Sequence, residues 1–369
     1  MTNENMPFGK TFHLAVCALF VGLVCTPMIG TVARIGVSTP EDIRQTELRR
    51  IHPMPDLIAR LMCRPRYVAA FNDRYGFRKP LLALNARLSL NCLNESPTPA
   101  VTVGRDGWLF YCDEISYYRG VRPLTTVELN EYAHRLESRR KWLASRGCRY
   151  LLVVAPNKSS IYPEQLPPML GRGGVRRLDQ LAQYLKANTS VSLLDLRPAL
   201  TQAKARGQLF YKTDTHWNDL GACVAAEQID AAIRPWYKDV RFPSAIQYRH
   251  QPIDVDGDLR RMMFAKDLIS ETAYRLSPVV PTTAHRVNDY LQTYGDRSHD
   301  LFATQSSNTA LPRLVMFRDS FTIALQPYLS ERYGRAVFCY GRDTNAFDDK
   351  LIAIERPSLV IQEVVERNL

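Results

Sequence analysis

The sequence has no Cys-x-x-Cys pair among its 369 residues, which removes zinc-ribbon and thioredoxin-like readings. It has no zinc-finger spacing, helix-turn-helix signal or aromatic–basic RNP pattern, so nucleic acid is not the expected partner. Its 48 Lys and Arg residues are scattered rather than gathered into runs. Apart from His216, the histidines stand isolated, so a metal centre lacks its third and fourth ligands. No internal repeat or low-complexity tract interrupts the chain. One large domain, with or without a small appendage, fits this length.

Present instead are 46% apolar residues, enough for a substantial core, and a formal net charge of +11. A basic balance suits an acidic partner, either an anionic membrane surface or an acidic polysaccharide. Residues 11–33, TFHLAVCALFVGLVCTPMIGTVA, carry no charged side chain except the neutral His13. A helix of that length can span a bilayer. The segment also fits a signal peptide, with Thr31 and Ala33 as a small-x-small cleavage site. Either reading sends the remaining chain across a membrane. Of eight cysteines, Cys17 and Cys25 lie in this segment and the other six are widely spaced. An oxidising compartment would permit disulfides, but the sequence assigns no pairing.

Three regions are expected: a membrane anchor or signal segment over 1–33, a juxtamembrane helical region over 34–100, and a catalytic domain over 101–369. VGRDGWLFY (103–111) reads as a hairpin around a Gly-Arg-Asp-Gly turn. Thr125 and Glu128 have capping-box spacing ahead of a helix that Gly147 stops. RYLLVVAP (149–156) is a continuous apolar run, as in a strand buried on both faces. Helices then alternate with strands at 190–197, 312–317, 336–340 and 358–365. This alternation predicts an α/β fold with a mostly parallel sheet flanked by helices. Residues 242–310 show few clean periods and read as an insertion or as substrate-facing loops.

Two spots could carry chemistry. YKTDTHWNDLGA (211–222) sets Asp214 two residues before His216, ahead of a helix that Asn218 or Asp219 can cap. A carboxylate beside an imidazole fixes its tautomer and stabilises the imidazolium. Spacing alone also allows an ordinary helix start with a solvated Asp. In VMFRDSFTIAL (315–325) an apolar strand runs into Arg318, Asp319 and Ser320 and then a helix, where open α/β sheets place their ligand sites. A serine there is exposed and close to amides that can hold an oxyanion. It could equally be a helix cap. Together the spots supply a nucleophile and the base that a serine hydroxyl needs.

These residues, and several others in order, resemble the alginate-type polysaccharide O-acetyltransferases. The matching segments are FNDRYGFRKPLL (71–82), VGRDGWLFY (103–111), APNKSSIYPEQLP (155–167), TDTHWNDLGA (213–222), GDL (257–259), RDSF (318–321) and IQEVVERNL (361–369). The resemblance runs from about residue 65 to the end of the sequence. It implies an SGNH-hydrolase-like domain in which Asp214, His216 and Ser320 act as acid, base and nucleophile. Their chain order is the reverse of the usual SGNH order, and Arg318 stands where the hydrolase block has Gly.

The resemblance further implies an exopolysaccharide acceptor, a multi-pass membrane acyltransferase supplying acetyl groups, and contact with other polysaccharide-secretion proteins. Location is expected in the periplasm, anchored to the inner membrane or released after cleavage. No cofactor or metal is expected. Lys158, Tyr162, Trp217 and Arg318 are the candidate substrate contacts, with Lys158 near the substrate's carboxylates. The aromatic group Trp108, Phe110, Tyr111, Tyr117 and Tyr118 could stack on sugars or serve packing. The expected activity is acetyl transfer through an acetyl-serine, with a carbohydrate acetylesterase or a non-catalytic polysaccharide-binding subunit as alternatives.

Overall fold

A computed structural model describes residues 8–33, 35, 76–171, 173–243, 247–279, 282–289, 301–341 and 343–369. Most of the expected juxtamembrane region, including the first part of the 71–82 segment, lies outside the described residues. The chain forms two compact units, Met1–Pro97 and Thr98–Leu369.

In the first unit, helix α1 (Phe8–Val32) contains a 21-residue stretch, Phe12–Val32, of mean hydropathy 2.2. No part of its most apolar window is buried, so α1 does not serve as a core helix; its length and composition suit a membrane crossing. Pro27 interrupts its hydrogen-bond ladder, and Thr26 and Thr31 return their hydroxyls to the carbonyls of Gly22 and Pro27. Helix α2 (Arg78–Leu88) follows Phe77, which holds a positive φ of 59°, and unwinds into a single π turn.

The second unit opens with the expected hairpin, β1 (Val101–Val103) and β2 (Leu109–Tyr111), closed by Gly104 N–H on Trp108 O at 2.7 Å. Helix α3 (Cys112–Tyr118) leads to α4 (Thr126–Ala144), whose capping box is complete. The Glu128 amide donates to Thr125 Oγ1 at 3.2 Å and the Thr125 amide to Glu128 Oε2 at 2.9 Å. Then follow β3 (Arg149–Ala155), the single turn α5 (Lys158–Ile161), α6 (Arg177–Asn188), β4 (Ser192–Asp195), α7 (Arg197–Ala203) and α8 (Asp219–Ile233). Asn218 is the α8 cap, accepting from the Gly221 amide at 3.0 Å.

The remaining elements are β5 (Tyr248–Asp254), α9 (Asp258–Met262), β6 (Thr272–Pro278), β7 (His285–Val287), β8 (Leu301–Gln305), β9 (Arg313–Arg318), α10 (Thr322–Ser330), β10 (Arg335–Tyr340), α11 (Asp349–Glu355) and β11 (Leu359–Val365). Seven strands build one sheet in the order β4-β3-β11-β9-β10-β8-β7. The five from β4 to β10 are parallel; β8 and β7 extend the sheet antiparallel. The sheet is thus mostly parallel, with an antiparallel edge in the region read from sequence as loops or an insertion. That region also contains a separate β5–β6 ribbon. Most of its side chains are solvent-exposed or half-buried, so no apolar alternation marks it.

One face of the sheet packs α7, α8 and α10 through Leu200, Ile229 and Leu325, with Trp108 and Phe110 of the hairpin. The other packs α4, α6 and α11 through Leu136, Leu181 and Leu351. β11 lies at the centre of the five parallel strands and all seven of its residues are buried. Because successive residues point to opposite faces, the polar Gln362 and Glu363 of β11 are buried in opposite layers. Gln362 accepts from Tyr150 Oη at 2.6 Å and from Arg139 Nη1 at 3.0 Å. Removing the α4 cap tests how much the second layer leans on it. Thr125→Ala is expected to cost about 1 kcal/mol, read as a fall of roughly 2–4 °C in Tm.

Candidate active site

The carboxyl ends of β9, β10 and β11 lie on one edge of the sheet because these strands are parallel. There the chain leaves β9 at Arg318 and turns through Asp319 and Ser320 into α10. Asp319 is buried and accepts at both oxygens, from the Phe321 amide and from the Val365 amide, each at 2.8 Å. It therefore ties the turn to β11, and α10 starts after Phe321 with no side-chain cap, so neither Asp319 nor Ser320 serves as the cap that spacing alone allowed. Ser320 is left half-buried with its hydroxyl free for other use.

The loop ahead of α8 brings His216 to this turn. His216 Nε2 lies 2.8 Å from Ser320 Oγ, and Nδ1 lies 2.6 Å from Asp214 Oδ1. Asp214 Oδ1 also accepts the His216 amide at 3.0 Å, and Oδ2 accepts the Asp258 amide at 2.9 Å. Burial raises the cost of this carboxylate's charge, but the bond to His216, its charge and the two amides outweigh that and hold its pKa down at about 2. With Nδ1–H fixed by a carboxylate, Nε2 presents its lone pair to the serine hydroxyl. Such a set can withdraw the Ser320 proton as Oγ attacks an acyl carbon. Among the described residues the Ser320 amide meets no acceptor, whereas the Phe321 amide is taken by Asp319. Of the amides expected to be able to hold an oxyanion, that of Phe321 is thus already engaged.

The loop is braced from several sides. Trp217 is fully buried and its Nε1–H donates to Phe321 O at 3.0 Å, joining the histidine loop to the serine turn. Lys158 is fully buried too, its ammonium donating to the carbonyls of Tyr211, Lys212 and Asp214 at 3.1, 3.0 and 2.7 Å. Burial pulls its pKa down to about 8, opposed by the charges of Glu114, Asp214, Asp258 and Glu271. Glu271 accepts the amides of Lys212 and Thr213 at 2.7 and 2.8 Å. Tyr162 is buried against Trp108 at 4.4 Å and accepts the Leu209 amide at 2.9 Å.

Three expected substrate contacts are therefore corrected. Lys158, Tyr162 and Trp217 are buried with their polar atoms engaged by the backbone, so they hold the site's shape and do not face a polymer. Arg318 donates to Asp319 O at 3.2 Å and lies 5.0 Å over the Tyr340 ring, bracing the serine turn from β10. Of the aromatic group, Trp108, Phe110, Tyr117 and Tyr118 are buried, which leaves packing as their role; Tyr111 is half-buried.

Asp258, Thr215, Glu271 and Glu363 were not singled out from sequence. A signal for Asp258 existed in the GDL segment (257–259), which carried no role. Asp214, His216 and Asp258 are close enough to converge on one cation. All four of their carboxylate oxygens already accept N–H or O–H bonds, however, so they fit a hydrogen-bonded set.

Residues 101–360 match the family of SGNH hydrolase-like acetyltransferase domains of the AlgX type. The chain belongs to this family. Curated relatives include the probable alginate O-acetylase AlgJ of Pseudomonas putida, 30% identical over 61% of this chain and 57% of the relative. That of Pseudomonas aeruginosa is 32% identical over 45% of this chain and 42% of the relative. The chain thus spans about half the length of the curated relatives it matches. The solved O-acetyltransferase domain of Pseudomonas putida AlgJ shares the fold at a TM-score of 0.50, with 21% identity over 73% of this chain and 92% of that one. Bacillus cereus PatB1 does so at 0.52, with 14% identity over 71% and 95%.

Beneath the serine turn, Glu363 accepts the Asp319 amide at 3.0 Å and the Thr322 hydroxyl at 2.8 Å. Its burial, then the charge of Asp319, push its pKa well above the usual carboxyl range. A carboxyl with a raised folded pKa gives its full stability below the unfolded pKa and loses it as pH rises through the folded value. Glu363→Gln keeps the shape and removes that loss. The variant is expected to melt near the wild type at pH 5 and roughly 2–4 °C above it at pH 8, for a gain of about 1 kcal/mol. A constant difference at both pH values would refute the assignment.

Proposed function

We propose that this protein is an O-acetyltransferase that acetylates an exopolysaccharide outside the cytoplasm through an acetyl-serine intermediate. The observation that carries the reading is the imidazole of His216 set between Ser320 Oγ at 2.8 Å and Asp214 Oδ1 at 2.6 Å. Membership of an acetyltransferase family supports the group transferred. The AlgJ relatives, described as probable alginate O-acetylases, support a polysaccharide acceptor. The +11 charge suits an acidic one.

In the first half-reaction Ser320 Oγ attacks the acetyl carbonyl carbon while His216 Nε2 takes the hydroxyl proton. The tetrahedral oxyanion is held by the Ser320 amide, a donor worth about 3 kcal/mol in such sites. The donor's leaving group departs with the proton from His216, leaving acetyl-serine. A sugar hydroxyl then attacks, giving its proton to Nε2. Ser320 leaves and recovers that proton, and the product is the sugar ester. Asp214 stays ionised throughout and stabilises the imidazolium. A multi-pass membrane acyltransferase supplies the acetyl group across the membrane. α1 anchors the protein on the periplasmic side of the inner membrane, among other polysaccharide-secretion proteins.

Intact mass after brief exposure to an activated acetyl ester tests the reading. The wild type is expected to gain a single acetyl group that leaves on addition of sugar oligomers, while Ser320→Ala gains none and loses roughly 10³-fold or more of the transfer rate. Acetate released at the same rate without any acceptor would instead make the protein an esterase. Absence of an adduct on folded wild type would sink the acetyl-serine step and favour a binding subunit.

A further inference from the structure

Thr215 lies between Asp214 and His216, and a single carboxylate takes both of its hydrogen-bond donors. Its amide donates to Asp258 Oδ1 at 2.8 Å and its hydroxyl to Asp258 Oδ2 at 2.6 Å. Asp258 returns its own amide to Asp214 Oδ2 at 2.9 Å. Asp258 Oδ2 also stands 3.8 Å from His216 Nδ1. Although Asp258 opens α9, no side-chain cap bond joins the preceding residue to that helix, and both Asp258 oxygens face Thr215.

The approach is built into the backbone. A Cβ on Gly257 would fall 2.2 Å from Thr213 O, so only glycine lets the β5–α9 connection lie this close to the histidine loop. The Arg260 amide donates to the same Thr213 carbonyl at 3.2 Å. This contact joins chain segments more than forty residues apart, and a solvated acidic residue at a helix start would need none of it.

We propose that Asp258 is a second anionic positioning residue of the relay, fixing the Asp214–His216 segment through Thr215 and adding its charge to the field on the imidazolium. The inference rests on the acetyl-serine reading above. The other charged groups around the ring act from elsewhere. Asp214 is its direct partner, and Lys158 is held against the Asp214 carbonyl below the loop. Glu271 is engaged with the Lys212 and Thr213 amides. Arg367 lies 5.4 Å over the Phe321 ring, which itself lies 4.9 Å from the imidazole ring. Asp319 and Glu363 lie behind the serine turn, with Arg318 stacked toward Tyr340. Asp258 is thus the one carboxylate besides Asp214 paired with Nδ1 among the described residues.

The test reads the rate of Ser320 acetylation by an activated acetyl ester against pH, which needs no polysaccharide. The acidic limb reports deprotonation of the base. A negative charge near the ring raises that limb, so Asp258→Asn is expected to move it toward acid by about one pH unit, with a fall of roughly ten-fold in the plateau rate from lost orientation. Thr215→Val removes the hydroxyl half of the bridge but keeps the amide bond and the charge, so its rate falls while the limb stays. Asp258→Glu likewise keeps the limb near the wild-type position, and it decides the matter if Asp258→Asn does not fold. A folded Asp258→Asn with an unmoved limb, or an Asp258→Glu limb displaced by a full unit, overturns the proposal. If the wild type is never acetylated, the serine reading fails and this one with it. Normal wild-type acetylation with an unshifted Asp258→Asn defeats this inference alone.

Discussion

Two loops far apart in the chain must meet within hydrogen-bonding reach, and the buried indole of Trp217 fixes their separation. Its single N–H reaches the Phe321 carbonyl across 104 positions of chain. Phe321 in turn packs its ring edge-on to the same indole at 5.1 Å. With the neighbours of His216 and Ser320 locked together, imidazole and hydroxyl can differ from their paired positions only by side-chain rotation. The histidine loop is closed only by the isolated bridge of Phe210 with Trp217, so this contact and the buried ammonium of Lys158 supply what a helix or strand would otherwise give.

Much of this was legible because it is local. An apolar run ending in Arg-Asp-Ser announces a strand end, and Asp-x-His before Asn218 announces a capped helix with a loop ahead of it. The sheet followed from the same alternation, since β3, β9 and β10 are mainly apolar runs and β11 is one broken only by Gln362 and Glu363. What could not be read was long-range or polar. The β5–β6 ribbon exposes most of its side chains and shows no period, so the segment carrying Asp258 looked unstructured.

Lys158 is the instructive error. A lysine just past a buried strand reads as a solvent-facing cation at a cleft, because burying an ammonium is costly unless it is paired. Here three carbonyls of one irregular loop supply the partners. Their convergence depends on how that loop bends, which no pattern within APNKSSIYPEQLP records. Trp217 and Tyr162 were misread for the same reason: an aromatic residue beside a reactive group can face the substrate or the scaffold, and its spacing is identical in both cases.

The position of β11 has a consequence for the order of assembly. It is the last strand in sequence and the middle one of the five parallel strands, pairing β3 on one side and β9 on the other. Until it arrives, β3 and β9 have no common neighbour, and the Val365 amide that secures Asp319 is missing. A chain emerging from synthesis can form its hairpin and helices early, but the parallel sheet closes only when β11 is released. Pairings so distant in sequence form slowly and leave apolar edges open meanwhile. The serine turn is accordingly among the last features to take shape, so a partly emerged chain holds no assembled reactive centre.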